Sequence, residues 1–289
     1  MVMTAMIELD AVTHTFADGS AGLGSCSLAL AGGRRHALLG ANGAGKTTLL
    51  QHLNGLLRPS TGQLRWRGHS YDYGRAGLSD LRSRVGLVFQ NPDRQLFSAL
   101  VEEDVSFGPL NLGLDDVTVR ARVAGALDAV GLASFGRRPV HQLSFGQKKR
   151  VCIAGVMAME PEVLLLDEPM AGLDASMQAE LEALLDRLAA RGVTIVLSTH
   201  DIDFAWRWAD EIHMMAAGRC IASTPAQQLP LQLDALRAAG QRPPLALAMH
   251  AELVARDVLP AGAAPRSMDA LLAMLRAQPA IELSGEIQL

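Results

Sequence analysis

Short apolar runs punctuate the chain at 35–39, 85–89, 163–166 and 193–197, and between them apolar residues return at helical spacing. A run that is apolar at nearly every position has no polar face to offer water, so it predicts a strand buried on both sides. Such strands separated by helices predict a parallel sheet covered on both faces, an α/β architecture. The opening stretch is patterned differently. Glu8 to Thr15 alternates loosely and Ser25 to Leu30 follows a Gly-rich turn region, which predicts an antiparallel β-subdomain ahead of the first helix. From about residue 98 to 160 the pattern is mostly helical, broken at Gly108-Pro109, Gly113 and Gly136, and lies between two core strands as an inserted helical subdomain. After Gly218 the composition turns to Ala, Leu, Gln and Pro, so residues 1–221 read as one large domain and 222–289 as a small C-terminal helical appendage.

Composition narrows the function classes. With 289 residues and 49% hydrophobic content the chain can bury a full core. A formal charge of -4 gives no general attraction to nucleic acid, and Lys148-Lys149-Arg150 reads as a solvated helix face, too short to track a phosphate backbone. Cys26, Cys152 and Cys220 are widely separated, which suggests neither a disulfide framework nor a zinc site and fits a reducing cytoplasm. The longest uncharged stretch, Gly19 to Gly33, falls short of the roughly 20 apolar residues of a membrane span. Met1 to Met6 has no positive charge before its apolar residues, unlike a signal peptide. Any tie to a membrane is expected to come through partners.

The chemistry-bearing residues stand at strand ends. Gly40-Ala41-Asn42-Gly43-Ala44-Gly45-Lys46-Thr47 matches the phosphate-binding P-loop pattern, directly after a predicted strand and before the helical run Thr48 to Leu57. Glycines let backbone N–H groups curl around phosphate oxygens, and the helix N-terminus adds partial positive charge. Lys46 is suited to the β- and γ-phosphates and the Thr47 hydroxyl to Mg²⁺. The chain is otherwise biased to arginine, and a compact ammonium suits this position better than a planar guanidinium. Val163 to Leu166 ends in Asp167-Glu168, a buried strand delivering one acid suited to the Mg²⁺ shell and one suited to the attacking water. Ser144 and Gly146 stand at the start of a helical stretch, a position that either caps the helix or binds an anion.

Taken in order, these motifs resemble those of the ATP-binding-cassette ATPases over about residues 6 to 222. Gly40 to Thr47, continuing into Thr48, resembles the Walker A loop, Gln90 the Q-loop glutamine near the metal and γ-phosphate, and Leu143-Ser144-Phe145-Gly146-Gln147 the family signature. Val163 to Glu168 resembles Walker B, Ala171-Gly172-Leu173-Asp174 the D-loop, and His200 the switch histidine; Phe16 stands where the family stacks an aromatic on adenine. The resemblance implies ATP and Mg²⁺ as cofactors, and a signature loop that reaches the γ-phosphate held by another subunit. One set of motifs then implies a second ATPase subunit, with a homodimer expected.

Asn91 to Phe97, Val101 to Pro109 and the Phe145-bearing signature resemble the energy-coupling-factor branch, whose ATPases drive uptake of vitamins or transition metals. Ile153 to Met159 and the long C-terminal region most resemble its cobalt-uptake ATPases, with nickel or vitamin importers the alternative. The branch implies integral membrane partners, gripped by Asn91 to Phe97 and the helix after them, and a peripheral place on the cytoplasmic face of the inner membrane. It implies no contact between this chain and the transported metal, and no histidine spacing such as His-Glu-x-x-His argues otherwise. Met170, Ala171 and Phe145 depart from common family residues without removing a phosphate or Mg²⁺ ligand. A cassette acting on ribosomes or DNA is the rival reading, but such proteins usually carry two cassettes or an inserted coiled coil.

Overall fold

The computed structural model describes residues 5–278. The first four residues of the Met1 to Met6 reading, and residues 279–289 of the expected appendage, lie outside the described residues.

β1 (Ala5–Thr15) and β2 (Ala21–Ala31) pair antiparallel, with Ile7 opposite Leu30 and Leu9 opposite Leu28. β3 (Arg35–Leu39) then enters a second sheet and leads to α1 (Lys46–Leu53). The helix begins before the expected Thr48 and ends before Leu57, because Gly55 turns the chain at a φ of 70° and its amide bonds back to the His52 carbonyl. β4 (Thr61–Trp66) and β5 (His69–Ser70) complete a four-stranded sheet ordered β2-β1-β4-β5, the antiparallel subdomain the alternation predicts.

After α2 (Arg75–Arg84), β6 (Val85–Val88) forms one edge of the second sheet. The insertion supplies α3 (Val101–Asn111), α4 (Asp116–Ala129) and α5 (Phe145–Met157), and β7 (Val163–Leu166) returns beside β6. Then come α6 (Ala175–Ala190), β8 (Thr194–Thr199), α7 (Ile202–Trp208), β9 (Glu211–Ala216) and β10 (Arg219–Pro225). The six-stranded order is β10-β9-β3-β8-β7-β6, parallel from β9 to β6 and antiparallel at β10.

Its central strands are covered on both faces, as their unbroken apolar character requires. Leu38, Leu165, Val196 and Met215 pack with α1 and the antiparallel sheet, while Leu39, Leu164, Leu166 and Leu197 pack with the helical insertion, α6 and α7. Burial of one such side chain contributes about 1.5–3 kcal/mol.

β9 and β10 extend the sheet beyond the expected strands. β10 crosses position 221 and stays paired to β9 as far as Pro225, so the helical part of the appendage starts after that strand. It contains α8 (Leu233–Ala238), α9 (Leu245–Ala255) and α10 (Met268–Arg276). Polar contacts tie it to α7: Trp206 Nε1 donates to the Pro265 carbonyl (3.2 Å), and Arg266 Nε donates to the Trp206 carbonyl (2.7 Å).

Candidate functional site

The carboxyl ends of β3, β6, β7 and β8 lie level, with Val88 beside Leu166 and Leu166 beside Leu197, so the residues that follow them share one edge. In parallel α/β sheets that edge receives ligands. Beyond β3 the chain curls from Gly40 to Gly45 into α1. A Cβ on Gly40 would stand 2.4 Å from the Met215 carbonyl oxygen, and Gly45, at a φ of 95°, would place one 2.8 Å from the Gly22 oxygen. Only glycine fits either place.

A cavity of about 420 Å³ opens over this loop. Asn42, Gly43, Ala44, Gly45 and Lys46 form its floor, and Thr47 and Thr48 continue it from α1. Gln90, Glu168 and His200 reach it from beyond β6, β7 and β8, and Phe16 walls it from the turn between β1 and β2. Gly22 makes room for that ring, since a Cβ there would come within 2.7 Å of Phe16 Cε2.

The buried Lys46 ammonium donates to the carbonyls of Gly40 (2.7 Å) and Ala41 (3.2 Å) and stands 3.4 Å from Glu168 Oε1. Behind it Thr47 Oγ1 donates to Asp167 Oδ2 (2.8 Å), and Ser198 Oγ donates to Asp167 Oδ1 (2.6 Å). The same Ser198 oxygen accepts from the Glu168 amide (2.8 Å). Glu168 holds a φ of 44°, a left-handed conformation uncommon outside glycine that turns its side chain back to the cavity. Its Oε2 meets His200 Nδ1 at 3.0 Å, while Oε1 is buried without a hydrogen-bond partner, a site for an incoming donor such as water. The clustered oxygens of Thr47 and Asp167 beside a phosphate-sized cradle match what Mg²⁺ takes, hard oxygen donors completed by substrate phosphates. A magnesium nucleotide fits these residues.

Ser144, Gly146, Gln147 and Asp174 are not brought to this cavity. Ser144 caps α5 reciprocally: its Oγ accepts from the Gln147 amide (3.3 Å), and Gln147 Oε1 accepts from the Ser144 amide (3.0 Å). Gly146 is packed against α6, where a Cβ would meet Met177 Sδ at 2.8 Å, and Asp174 caps α6 through the Met177 amide (2.8 Å).

The basic run on α5 corrects the sequence reading. Lys149 is only 4% exposed, and its ammonium donates to the carbonyls of Pro169 (2.6 Å), Ala171 (2.7 Å) and Glu168 (3.4 Å), holding the turn that follows Glu168. Burial pushes its pKa down to about 8. The signal was available in helical spacing, which puts Lys149 on one stripe with Gly146 and Ile153. Ser198 belongs to none of the motifs above; its place beside Asp167 follows from the parallel register of β7 and β8.

Comparison with known proteins agrees with the geometry. Residues 23–171 match the family described as ABC transporter. The chain is 47% identical over 274 residues to the cobalt import ATP-binding protein CbiO of Rhodobacter capsulatus, covering 94% of this chain and 98% of that protein. It is 42% identical over 255 residues to the energy-coupling factor transporter ATP-binding protein EcfA of Methanocaldococcus jannaschii, covering 88% and 91%. Among solved structures it is similar to CbiO1 from Clostridium perfringens, described as part of the CbiONQ complex (TM-score 0.73, 39% identity, 87% of this chain and 99% of that one). It is also similar to a dimeric ATP-binding cassette in a post-hydrolysis state with ADP and Pi (TM-score 0.69, 28% identity, 76% and 99%). The chain belongs to the ABC transporter family, among the ATP-hydrolysing subunits of its energy-coupling-factor branch, with ATP as substrate and Mg²⁺ as the metal.

Proposed function

We propose that the chain powers a cobalt importer as a homodimer, docked on membrane subunits at the cytoplasmic face of the inner membrane. One observation carries the dimer: Ser144 sits at the tip of α5, apart from the cavity that its own Lys46 lines. A helix tip of that kind binds anions, so Ser144, Gly146 and Gln147 of a second copy would close over the γ-phosphate, with Asp174 at the seam. Cobalt as cargo rests on the similarity to the R. capsulatus protein. Among the described residues no helix is long and apolar enough to cross a membrane.

Within each half-site Phe16 would stack on adenine, and the N–H groups of the Gly40 to Thr48 loop would cradle the phosphates with Lys46. Thr47, Asp167 and Gln90 would hold Mg²⁺, which neutralises charge on the phosphate oxygens. Glu168 would orient the attacking water and accept its proton, while His200 steadies the carboxylate and meets the γ-phosphate.

The membrane partner has a suitable seat. A groove of about 690 Å³ runs between the residues after β6 and helices α2, α3 and α5, and Phe97 (65% exposed) and Phe107 (51% exposed) stand at its rim with rings 4.8 Å apart. Within the expected Asn91 to Phe97 segment, Asp93 is already paired with Lys148 at 2.7 Å. An aromatic edge of this kind suits an apolar segment of a partner.

Reconstitution with integral membrane subunits of the proposed importer in vesicles tests the whole reading. ATP-dependent Co²⁺ uptake, lost when Phe97→Asp releases the ATPase from the vesicles, is the expected result. Uptake of nickel or a vitamin in place of cobalt would overturn the cargo, and a ribosome-bound, membrane-free protein would overturn the transporter assignment. The appendage is proposed to steady the dimer; unchanged ATP-dependent pairing after truncation of the chain from about residue 226, beyond β10, would count against that role.

A further inference from the structure

Folding brings together ligands that the linear spacing keeps apart. His36 of β3 and His213 of β9 lie 177 positions apart, yet His36 Nδ1 and His213 Nε2 approach to 3.0 Å between the two sheets. Glu211 adjoins His36 in the parallel register, and its Oε2 stands 3.6 Å from His36 Nδ1. The three potential ligand atoms lie within 4.8 Å of one another. Two nitrogens bound to one Zn²⁺ at about 2.0–2.1 Å in tetrahedral geometry are roughly 3.3 Å apart, so the observed pair needs little movement.

The surroundings orient the lone pairs. His36 Nε2 lies 2.9 Å from the Ala31 carbonyl, which can only accept, so the ring proton sits on Nε2 and Nδ1 is a free base. His213 Nδ1 lies 2.8 Å from Ser223 Oγ, which can donate or accept. In the present arrangement His213 Nε2–H donates to His36 Nδ1 and the serine hydroxyl donates to His213 Nδ1. Moving the His213 proton from Nε2 to Nδ1, with Ser223 turning to accept, points both lone pairs at one place without changing the charge of either ring. Both imidazoles are fully buried. Glu211 completes the set from the water side: it is partly exposed, and its other oxygen lies 3.9 Å from Arg34 Nε, which leaves Oε2 turned inward.

We propose that His36, His213 and Glu211 bind one divalent transition-metal cation of the Zn²⁺ or Co²⁺ class, with water reaching the fourth position past Glu211. Two imidazoles and a carboxylate select such ions over Mg²⁺, which takes oxygen ligands, so the site is chemically distinct from the nucleotide site. It joins β3, the strand that leads into Gly40, to β9, and it stands independently of the cargo assignment.

The test uses the full chain, freed of metal by chelation and titrated with Co²⁺ without nucleotide. The expected result is one equivalent bound per chain, visible ligand-field bands of four-coordinate Co²⁺, no thiolate charge-transfer band, and no displacement by millimolar Mg²⁺. Ser223→Ala, which removes the outer partner of His213, is expected to weaken binding about 10–100-fold. Glu211→Gln should weaken it further, and His213→Gln should abolish it. Ser223 is exposed and Glu211 half-exposed, so these two variants carry the test even where the buried histidine variant does not fold. Absence of Co²⁺ uptake, uptake indifferent to Glu211→Gln and Ser223→Ala, a thiolate band from Cys26 or Cys220, or displacement by Mg²⁺ would each overturn the assignment.

Discussion

His200 Nδ1 stands 3.0 Å from Glu168 Oε2 although 32 positions separate the two residues, because each follows the carboxyl end of one of two adjacent parallel strands. The contact fixes the direction of a carboxylate whose other oxygen has no hydrogen-bond partner. Glu168→Gln preserves the shape and removes the base. Turnover should fall by at least about a hundredfold while ATP binding persists and an ATP-bound dimer accumulates. Single-turnover hydrolysis together with size-exclusion chromatography in ATP measures both; a variant hydrolysing near the parent rate would remove Glu168 from the role of base.

Ser198 serves both acids at once, donating to Asp167 Oδ1 and accepting from the Glu168 amide. Ser198→Ala leaves Asp167 with Thr47 as its remaining side-chain hydrogen-bond donor among the described residues. Outer partners of metal ligands commonly matter by about 10–100-fold, so the variant should need correspondingly more Mg²⁺ for half-maximal ATPase activity. A Mg²⁺ dependence identical to that of the parent would show that Ser198 only fills space.

The legible parts of the molecule were those in which one residue type answers a local demand. The apolar runs 37–39 and 163–166 mark a parallel core, and the glycines at 40 and 45 mark a turn too tight for other residues. β9 was harder to read because Glu211 and His213 interrupt its apolar character, and their partner His36 lies far away in the chain. Lys149 escaped for a related reason: a lysine among basic neighbours looks solvated until three carbonyls from another loop arrive around it. Cross-strand and cross-loop satisfaction of polar groups depends on register, which no short segment carries.

Lys149 is a positioning residue for the turn after Glu168. Lys149→Met keeps the length of the stem and removes the donors, leaving carbonyl groups short of partners, at a cost of about 2–3 kcal/mol. Turnover should fall with it as the turn relaxes. Since burial places the ammonium near pH 8, raising the pH through that value leaves two N–H groups for three carbonyls in the parent protein. Parent ATPase activity should therefore decline above about pH 8 with an inflection that Lys149→Met lacks; superimposable pH profiles would assign the residue to packing alone.

Arg35 and Asp210 clasp the entry to β3, with the Asp210 carboxylate accepting from the Arg35 backbone amide (2.9 Å), Nη2 (2.9 Å) and Nε (3.3 Å). Burial pushes the Asp210 carboxyl up, but the hydrogen bonds and charge of Arg35 outweigh it and leave the group below its ordinary value. A carboxyl lowered in the folded state contributes stability that is present above its unfolded value of about 3.9 and disappears as the pH falls through the folded one. Asp210→Asn should accordingly cost about 1–2 kcal/mol at neutral pH, discounted for its partial exposure. The gap between the parent and variant unfolding midpoints should narrow once the pH drops below about 4, because the parent then loses the same charge. Denaturant titrations at several pH values read this directly: a gap constant down through acid would mean that the carboxylate charge contributes nothing and that only the shape of the side chain matters.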